Sequence, residues 1–255
     1  MSAAAKGRLY LVPAPLDFGC EQLAPLQDVM PLATIEVAAQ LQHWICENAK
    51  STRAYLKRVG ELKPLKNQLQ ALHIQELPRE VHKKGDHTGN FDARPLLAAA
   101  LNGNDVGLVS EAGMPAIADP GSSVVRAAHD LGLQVVPLTG PMSLMLALAA
   151  SGLNGQNFAF VGYLPQDPAG RAQRIRELES LALKTSQSQI FIETPYRNAT
   201  LLQALLQTLQ GNTRLALSCG LTLNAAWNFS AQASNWKKNK PIAPLDLPTV
   251  FCIGR

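Results

Sequence analysis

Short β-rich runs alternate with helical segments through the first half of the chain, and this alternation limits the fold more than any other feature. Arg8-Leu9-Tyr10-Leu11-Val12 reads as a buried strand stopped by Pro13 and Pro15. Ala33 to Gln42 carries apolar residues at helical spacing, and Trp44-Ile45-Cys46 reads as a second strand. Ser51 is placed to cap a helix from Thr52 to Val59. Leu62 to Asn90 has no clear period. Arg94 to Leu101 reads as a helix, Val106 to Val109 as a third strand, Gly121 to Leu131 as a helix and Gln134 to Pro137 as a further strand. Such alternation implies a parallel sheet with helices on its faces.

A break at Thr139-Gly140-Pro141 is followed by an apolar helix from Met142 to Ser151, with Pro141 in its first turn and Gly152 as its stop. Beyond it, strands are expected at Phe158–Val161, Gln189–Ile192, Arg214–Cys219, Trp227–Phe229 and Thr249–Ile253, with helices at Ala169–Leu183 and Ala199–Leu209. The expected organisation is two α/β domains: residues 1–138 with a mainly parallel sheet, and residues 139–255 with a mixed sheet.

Charge separates the same halves. Residues 1–138 hold 13 Lys/Arg against 14 Asp/Glu, and residues 139–255 hold 10 against 5, so the first is near neutral and the second is +5. The basic excess lies in Arg171, Arg174 and Arg176 and in Lys237, Lys238 and Lys240. It reads either as a solvated helix and loop or as a face for an anionic partner.

The four cysteines are scattered, without a CxxC pair, which fits a reducing, cytoplasmic compartment. The start lacks a leader-like pattern, and the longest apolar stretch, Met142 to Ala150, is far short of the ~20 residues of a membrane span. GxGxxG, GxxxxGK[ST] and GxSxG are all absent. His82 and His87 stand five apart, the wrong helical offset for paired metal ligands, and no metal site is expected.

Gly107 to Gly121 carries the chemistry-bearing pattern: a strand runs into the small-residue turn Ser110-Glu111-Ala112-Gly113, then a Pro-bounded loop, then a helix. Beyond the carboxyl ends of parallel strands such a turn lets a ligand approach the backbone, and the helix start near Gly121 offers free N–H groups to an anion. Val135-Val136-Pro137-Leu138-Thr139-Gly140-Pro141 follows, then Ser151-Gly152-Leu153, Gly162-Tyr163-Leu164-Pro165 and Glu193-Thr194-Pro195-Tyr196-Arg197. With the opening Gly7-Arg8-Leu9-Tyr10-Leu11-Val12, this string resembles the tetrapyrrole (corrin/porphyrin) methylase superfamily, and most of all its ribosomal RNA small subunit methyltransferase I branch. That branch carries VSDAGTP…DPG, VVPxPGPSA, SGLP, GFLP and ExxHR in the same order.

The resemblance implies a methyltransferase using S-adenosyl-L-methionine, with two α/β domains, the cofactor in the cleft between them, and a homodimer. Carried over position by position, it gives Pro15, Ser110, Glu111, Ala112, Gly113, Ile117, Met142, Ser143 and Glu193 as cofactor-binding residues. The acceptor it implies is a ribose 2′-hydroxyl of small-subunit ribosomal RNA, which benefits from a base. His87, Asp119 and Glu193 are candidates for that base, unranked by the sequence. The chain departs from the branch at Ala14-Pro15-Leu16-Asp17-Phe18 (TPIGN in the family). Around Glu47 to Arg53 (AEDTR) it keeps Thr52-Arg53 but not the acidic pair before them. At Leu217 to Leu223 (ARELTK) an Arg, a Glu and a Lys are missing. These changes leave two further readings open: a degenerate paralogue that binds cofactor or a partner without turnover, and a methyltransferase for a tetrapyrrole or other small molecule.

Overall fold

The computed structural model describes residues 5–84, 86 and 91–255, and contacts divide the chain into two compact units. One holds residues 23–141 with the chain up to Gly19, and the other holds residues 142–255 with 20–22.

The first unit is a five-stranded, wholly parallel sheet. Its strands are β1 (Arg8–Val12), β2 (His43–Cys46), β3 (His73–Glu76), β4 (Val106–Val109) and β5 (Gln134–Pro137), in the order β3-β2-β4-β1-β5. Helices α1 (Leu26–Val29), α2 (Leu32–Gln40) and α3 (Ala49–Leu62) cover one face; α4 (Arg79–Lys84), α5 (Ala98–Leu101) and α6 (Ser122–Asp130) belong to the connections on the other. Because both faces are covered, the strands read as near-continuous apolar runs. Tyr10, Val12, Trp44 and Val109 join the core under α1–α3, while Leu9, Ile45, Val106 and Leu108 join the core against α6. Gly107 leaves room for Trp44, since a Cβ there would stand 2.7 Å from the indole Cζ3.

Several expectations need correction. The third strand in sequence is His73–Glu76, an exposed edge strand inside the unassigned stretch, so Val106–Val109 is the fourth. Arg94–Leu101 begins as a 3-10 turn over Arg94–Leu97 and turns α-helical only from Ala98. Helix α3 starts three residues earlier than expected, because Asn48 caps it by accepting from Lys50 N at 2.8 Å and Ser51 N at 3.3 Å.

The second unit is a mixed sheet of β6 (Phe158–Tyr163), β7 (Ser188–Glu193), β8 (Arg214–Cys219), β9 (Trp227–Gln232) and β10 (Thr249–Gly254), in the order β6-β7-β10-β8-β9. Only β6 and β7 run parallel; β10 pairs antiparallel with both β7 and β8. Helix α7 (Ser143–Ser151) packs Leu144, Ala147 and Leu148 on Ile190, Ala216 and Val250. Helices α8 (Pro168–Thr185), α9 (Asn198–Thr208) and α10 (Ala233–Asn239) cover the opposite face, where Phe191 and Phe251 face each other in register and stack at 5.9 Å. Pro141 lies outside α7, whose N-cap is Met142, and Gly152 ends it with φ +70°. Lys237 and Lys238 lie in the last turn of α10 rather than in a loop, where they oppose the helix dipole's negative end. Among the described residues no helix is long and apolar enough to cross a membrane.

Candidate functional site

Strands β1 and β4 are neighbours, and their chains leave in opposite directions across the sheet, β1 toward β2 and β4 toward β5. Open parallel sheets hold ligands at such a reversal, beyond the carboxyl ends. The two loops that emerge there are tied together. Ala14 N donates to Gly113 O and Gly113 N to Ala14 O, both at 2.9 Å. Gly113 has φ +70°, a conformation that disfavours a side chain.

Pro15, Ser110 and Glu111 therefore meet on one wall, lining a cavity of about 180 Å³ with Asp17, Phe18, Ser51, Thr52, Tyr55 and Arg58. Ser110 is buried and its Oγ makes no hydrogen bond. Glu111 Oε1 lies 3.0 Å from Ser51 Oγ, whose hydroxyl is also 3.0 Å from Asn48 O. Ala112 and Gly113 present little beyond backbone, and Ile117 is exposed at 42%. The divergent loop Ala14 to Phe18 has its own anchor: Arg58 donates to both oxygens of Asp17 at 3.1 and 3.0 Å and to Ala24 O at 2.6 Å. Asp17 also accepts from Ala24 N at 3.0 Å.

The loop from Ser110 to Pro120 contains two non-glycine residues at positive φ, Ala116 at +65° and Ala118 at +63°. Between that strained stretch and Pro120 stands Asp119. Burial pushes its carboxyl up to about 7, helped by the negative charges of Glu47 and Glu111. Glu47 follows β2 directly, so an acidic group does stand ahead of Thr52-Arg53, and Asn48 serves as the α3 cap.

One expectation for this region is overturned. The N-terminus of α6 is not free for an anionic ligand, because the Asp86 carboxylate occupies it. Oδ2 accepts from Gly121 N at 2.9 Å and from Ser123 N at 2.8 Å, and Oδ1 accepts from Ser122 Oγ at 2.8 Å.

The remaining site candidates belong to the second unit. Met142 and Ser143 are the cap and first residue of α7, and Met142 packs beside Leu144 and Leu148. Glu193 ends β7. Its Oε1 accepts from Thr194 N at 2.7 Å, Thr194 Oγ1 at 3.2 Å and Arg197 Nε at 2.9 Å, so it locks the turn into α9. Burial favours the neutral acid there, but the hydrogen bonds and charge of Arg197 outweigh it and hold the carboxyl below its usual range. Of the three candidate bases, Glu193 is thus committed as an anion, Asp119 titrates near neutrality, and His87 lies outside the described residues. Ser218 to Leu223 brings no charge: Ser218 and Cys219 end β8 in the core, and Gly220 and Thr222 turn with φ +58° and +72°.

Two α/β units, with a cavity beyond the carboxyl ends of a parallel sheet in the first, define the class of a two-domain α/β protein. Residues 28–226 match the family model described as Tetrapyrrole (Corrin/Porphyrin) Methylases, and the chain belongs to that family. It is 32% identical over 214 residues to ribosomal RNA small subunit methyltransferase I of Vibrio cholerae, covering 84% of this chain and 65% of that one. The corresponding Escherichia coli O157:H7 protein is 30% identical over 218 residues, covering 86% and 66%. The chain thus spans just under two thirds of the length of these curated relatives. In structure it resembles uroporphyrin-III-C-methyltransferase of Thermus thermophilus, with a TM-score of 0.55 and 18% identity over 98% of this chain and 94% of that one. That likeness supports the two-unit α/β fold.

Proposed function

We propose that the protein is an S-adenosylmethionine-dependent methyltransferase acting on small-subunit ribosomal RNA. The observation that carries this reading is the small-residue turn after β4, clamped to the loop after β1 and bearing the unpartnered Ser110 hydroxyl, in a chain whose relatives are named for that reaction. The residues fit the cofactor: a buried Oγ without a partner favours a ligand that supplies one, and Ala112-Gly113 lets a ligand reach the backbone. Pro15, Ser110, Glu111, Ala112, Gly113 and Ile117 of the first unit would hold it.

When bound, the cofactor supplies a methyl group made electrophilic by its sulfonium, a chemistry that needs no metal. The chain's task is to hold donor and acceptor in line and to manage one proton. Asp119, whose carboxyl burial pushes up to about 7, is the candidate to take the proton that the acceptor hydroxyl gives up. Net charge of +5 over residues 139–255 suits an RNA backbone. Ribosomal RNA as substrate places the protein in the cytoplasm, and the family resemblance adds a homodimer.

The test is calorimetric titration with S-adenosylmethionine, followed by methyl transfer to undermethylated 30S subunits. Cofactor binding and 30S labelling support the reading. Absence of cofactor binding overturns it. Binding without transfer to 30S, other RNA or small molecules favours the non-catalytic reading, for which the uncharged segment Ser218 to Leu223 is the structural ground.

A further inference from the structure

We propose that the rim at the carboxyl ends of β6 and β7 is a contact surface for a single-stranded segment of the RNA substrate, with one base stacked on Tyr196 and phosphates met by arginines of α8. The proposal rests on the RNA reading above. It goes beyond it by assigning Tyr196, Arg171 and Arg176, all within the second unit.

Topology gathers these residues at one end of the sheet. Strands β6 and β7 run parallel, with Tyr163 opposite Ile192, so the segments that follow them emerge on the same side. The first leads into α8 and the second, through the turn Pro195–Arg197, into α9. The two helices pack side by side and both begin at that end. Arg171 lies in the first turn of α8 and reaches back to Gln166 O, 3.4 Å away, in the segment after β6.

Tyr196 is 77% exposed, so it adds little to any core. A lone exposed ring is common on protein surfaces, but this one is braced. The Arg197 guanidinium stands over it at 4.9 Å from the ring centre, and Arg197 Nη1 donates to Tyr196 Oη at 3.0 Å. The guanidinium is fixed in turn: Nε and Nη2 reach Glu193 Oε1 at 2.9 and 2.8 Å. The backbone is fixed as well. Asn198 is fully buried and its amide donates to Leu245 O at 2.9 Å and Leu247 O at 3.1 Å. With one side under Arg197 and most of its area in water, the ring offers its other face to a partner. Because that face is held in place, a base that stacks on it orders little else.

Charge selects the partner. Arg171 and Arg176 form no salt bridge among the described residues, whereas Arg174 is paired with Glu177 at 3.2 Å. Arg176 is exposed. A presented aromatic face beside uncommitted arginines, in a unit of net charge +5, is the pairing that single-stranded RNA uses: bases on rings, phosphates on guanidinium groups. A duplex keeps its bases stacked on each other and cannot use the ring.

The experiment is fluorescence-anisotropy titration of the full chain with three labelled probes: a short oligoadenylate, an abasic strand of the same length and an RNA duplex. Each titration is repeated over a salt series. Tyr196→Ala, Tyr196→Phe and the double variant Arg171→Gln with Arg176→Gln are compared with wild type, and thermal melts confirm that all fold. Tyr196→Ala is expected to weaken oligoadenylate binding by about 5- to 100-fold and to leave the abasic strand, the duplex and S-adenosylmethionine affinity unchanged. Tyr196→Phe, which keeps the ring, should bind as wild type does. The arginine variant should weaken all three probes and flatten the slope of log affinity against log salt by about one to two. Oligoadenylate affinity unchanged in Tyr196→Ala overturns the proposal, as does equal weakening of the abasic strand or an unchanged salt slope in the arginine variant. Self-association that Tyr196→Ala abolishes, with RNA affinity intact, assigns the ring to a second copy of the chain and overturns it too. If 30S labelling fails while oligoadenylate binding depends on Tyr196, the ribosomal reading falls and the surface stands. Labelling of 30S with RNA binding indifferent to Tyr196 removes the surface alone.

Discussion

Asp86 and Ser123, thirty-seven residues apart, meet where the Asp86 carboxylate accepts from both the backbone N–H and the hydroxyl of Ser123, at 2.8 and 2.5 Å. With Gly121 N and Ser122 Oγ this makes one side chain the N-terminal cap of α6. Asp86 and the start of α6 are thus pinned to each other through a single carboxylate.

Replacing Asp86 by Ala is expected to cost about 2–3 kcal/mol, more than an exposed cap, because buried donors are stranded. Urea unfolding monitored by circular dichroism checks the value, and a cost under about 0.5 kcal/mol would contradict the capping role. The same carboxyl is held below its ordinary 3.8: burial opposes this, but the hydrogen bonds from Ser123, Ser122 and Gly121 prevail. Its stabilising contribution is therefore fully present above 3.8 and is lost as pH falls through the lower folded value. Wild type should lose stability more steeply than Asp86→Ala in that acid range.

Asp119 has the opposite sign. Its folded carboxyl titrates at about 7, above the ordinary 3.8, so the stability tied to its protonated form is present at low pH and is lost as pH rises through about 7. Asp119→Asn should be more stable than wild type at pH 8, by on the order of 2–4 kcal/mol, with the difference shrinking toward pH 4. If the proton-accepting role is right, methyl transfer rises with pH to a plateau above about 7. The Asn variant then loses about 100-fold in rate together with that limb. A variant rate that keeps the wild-type pH profile removes Asp119 from the reaction.

Gly107 sits under the indole of Trp44, so Gly107→Ala forces a Cβ to within 2.7 Å of it at the centre of the sheet. The expected cost is about 1–3 kcal/mol. Trp44 fluorescence offers a direct readout: its emission should shift as the ring is displaced, and an unchanged spectrum with unchanged stability would mean that the strand relaxes freely.

Glu193 and Arg197 form a pair whose side chains are 5% and 27% exposed. Arg197→Ala removes the group that contributes most to holding the Glu193 carboxyl below its usual range and should destabilise the turn into α9, though solvent at the arginine screens the effect. Glu193→Gln should cost less, and a double-mutant cycle should give a measurable, favourable coupling. Additive single effects would show that Thr194 alone holds the turn.

The alternation of strands and helices was legible because apolar residues serve both covered faces of the parallel sheet: Arg8–Val12 is mostly buried, and at the edge Gln134–Pro137 still sets Val135 and Val136 against the cores of opposite faces, both strands beginning and ending where the pattern places them. His73–Glu76 was not, because an exposed edge strand has no apolar signature to offer. The α3 cap was readable in principle: Asn48 follows the strand almost at once and is as good a cap as Ser51, whose hydroxyl instead serves Glu111. Motif order identified the turn Ser110 to Gly113. The α6 cap could not be read, since it depends on a carboxylate thirty-five residues upstream of Gly121, nor could the near-neutral titration of Asp119, which arises from burial and from Glu47 on another strand.

Strand β10 stands between β7 and β8 and makes all the bridges that join the two halves of its sheet. During synthesis, the parallel pair β6-β7 and the hairpin β8-β9 have no common edge until residues 249–254 have emerged. The first unit, whose strands are all in place by Pro137, can by then have folded. Ribosomes paused upstream of residue 249 would hold a second unit with two bare strand edges, the state in which this chain is most open to aggregation and to chaperone capture.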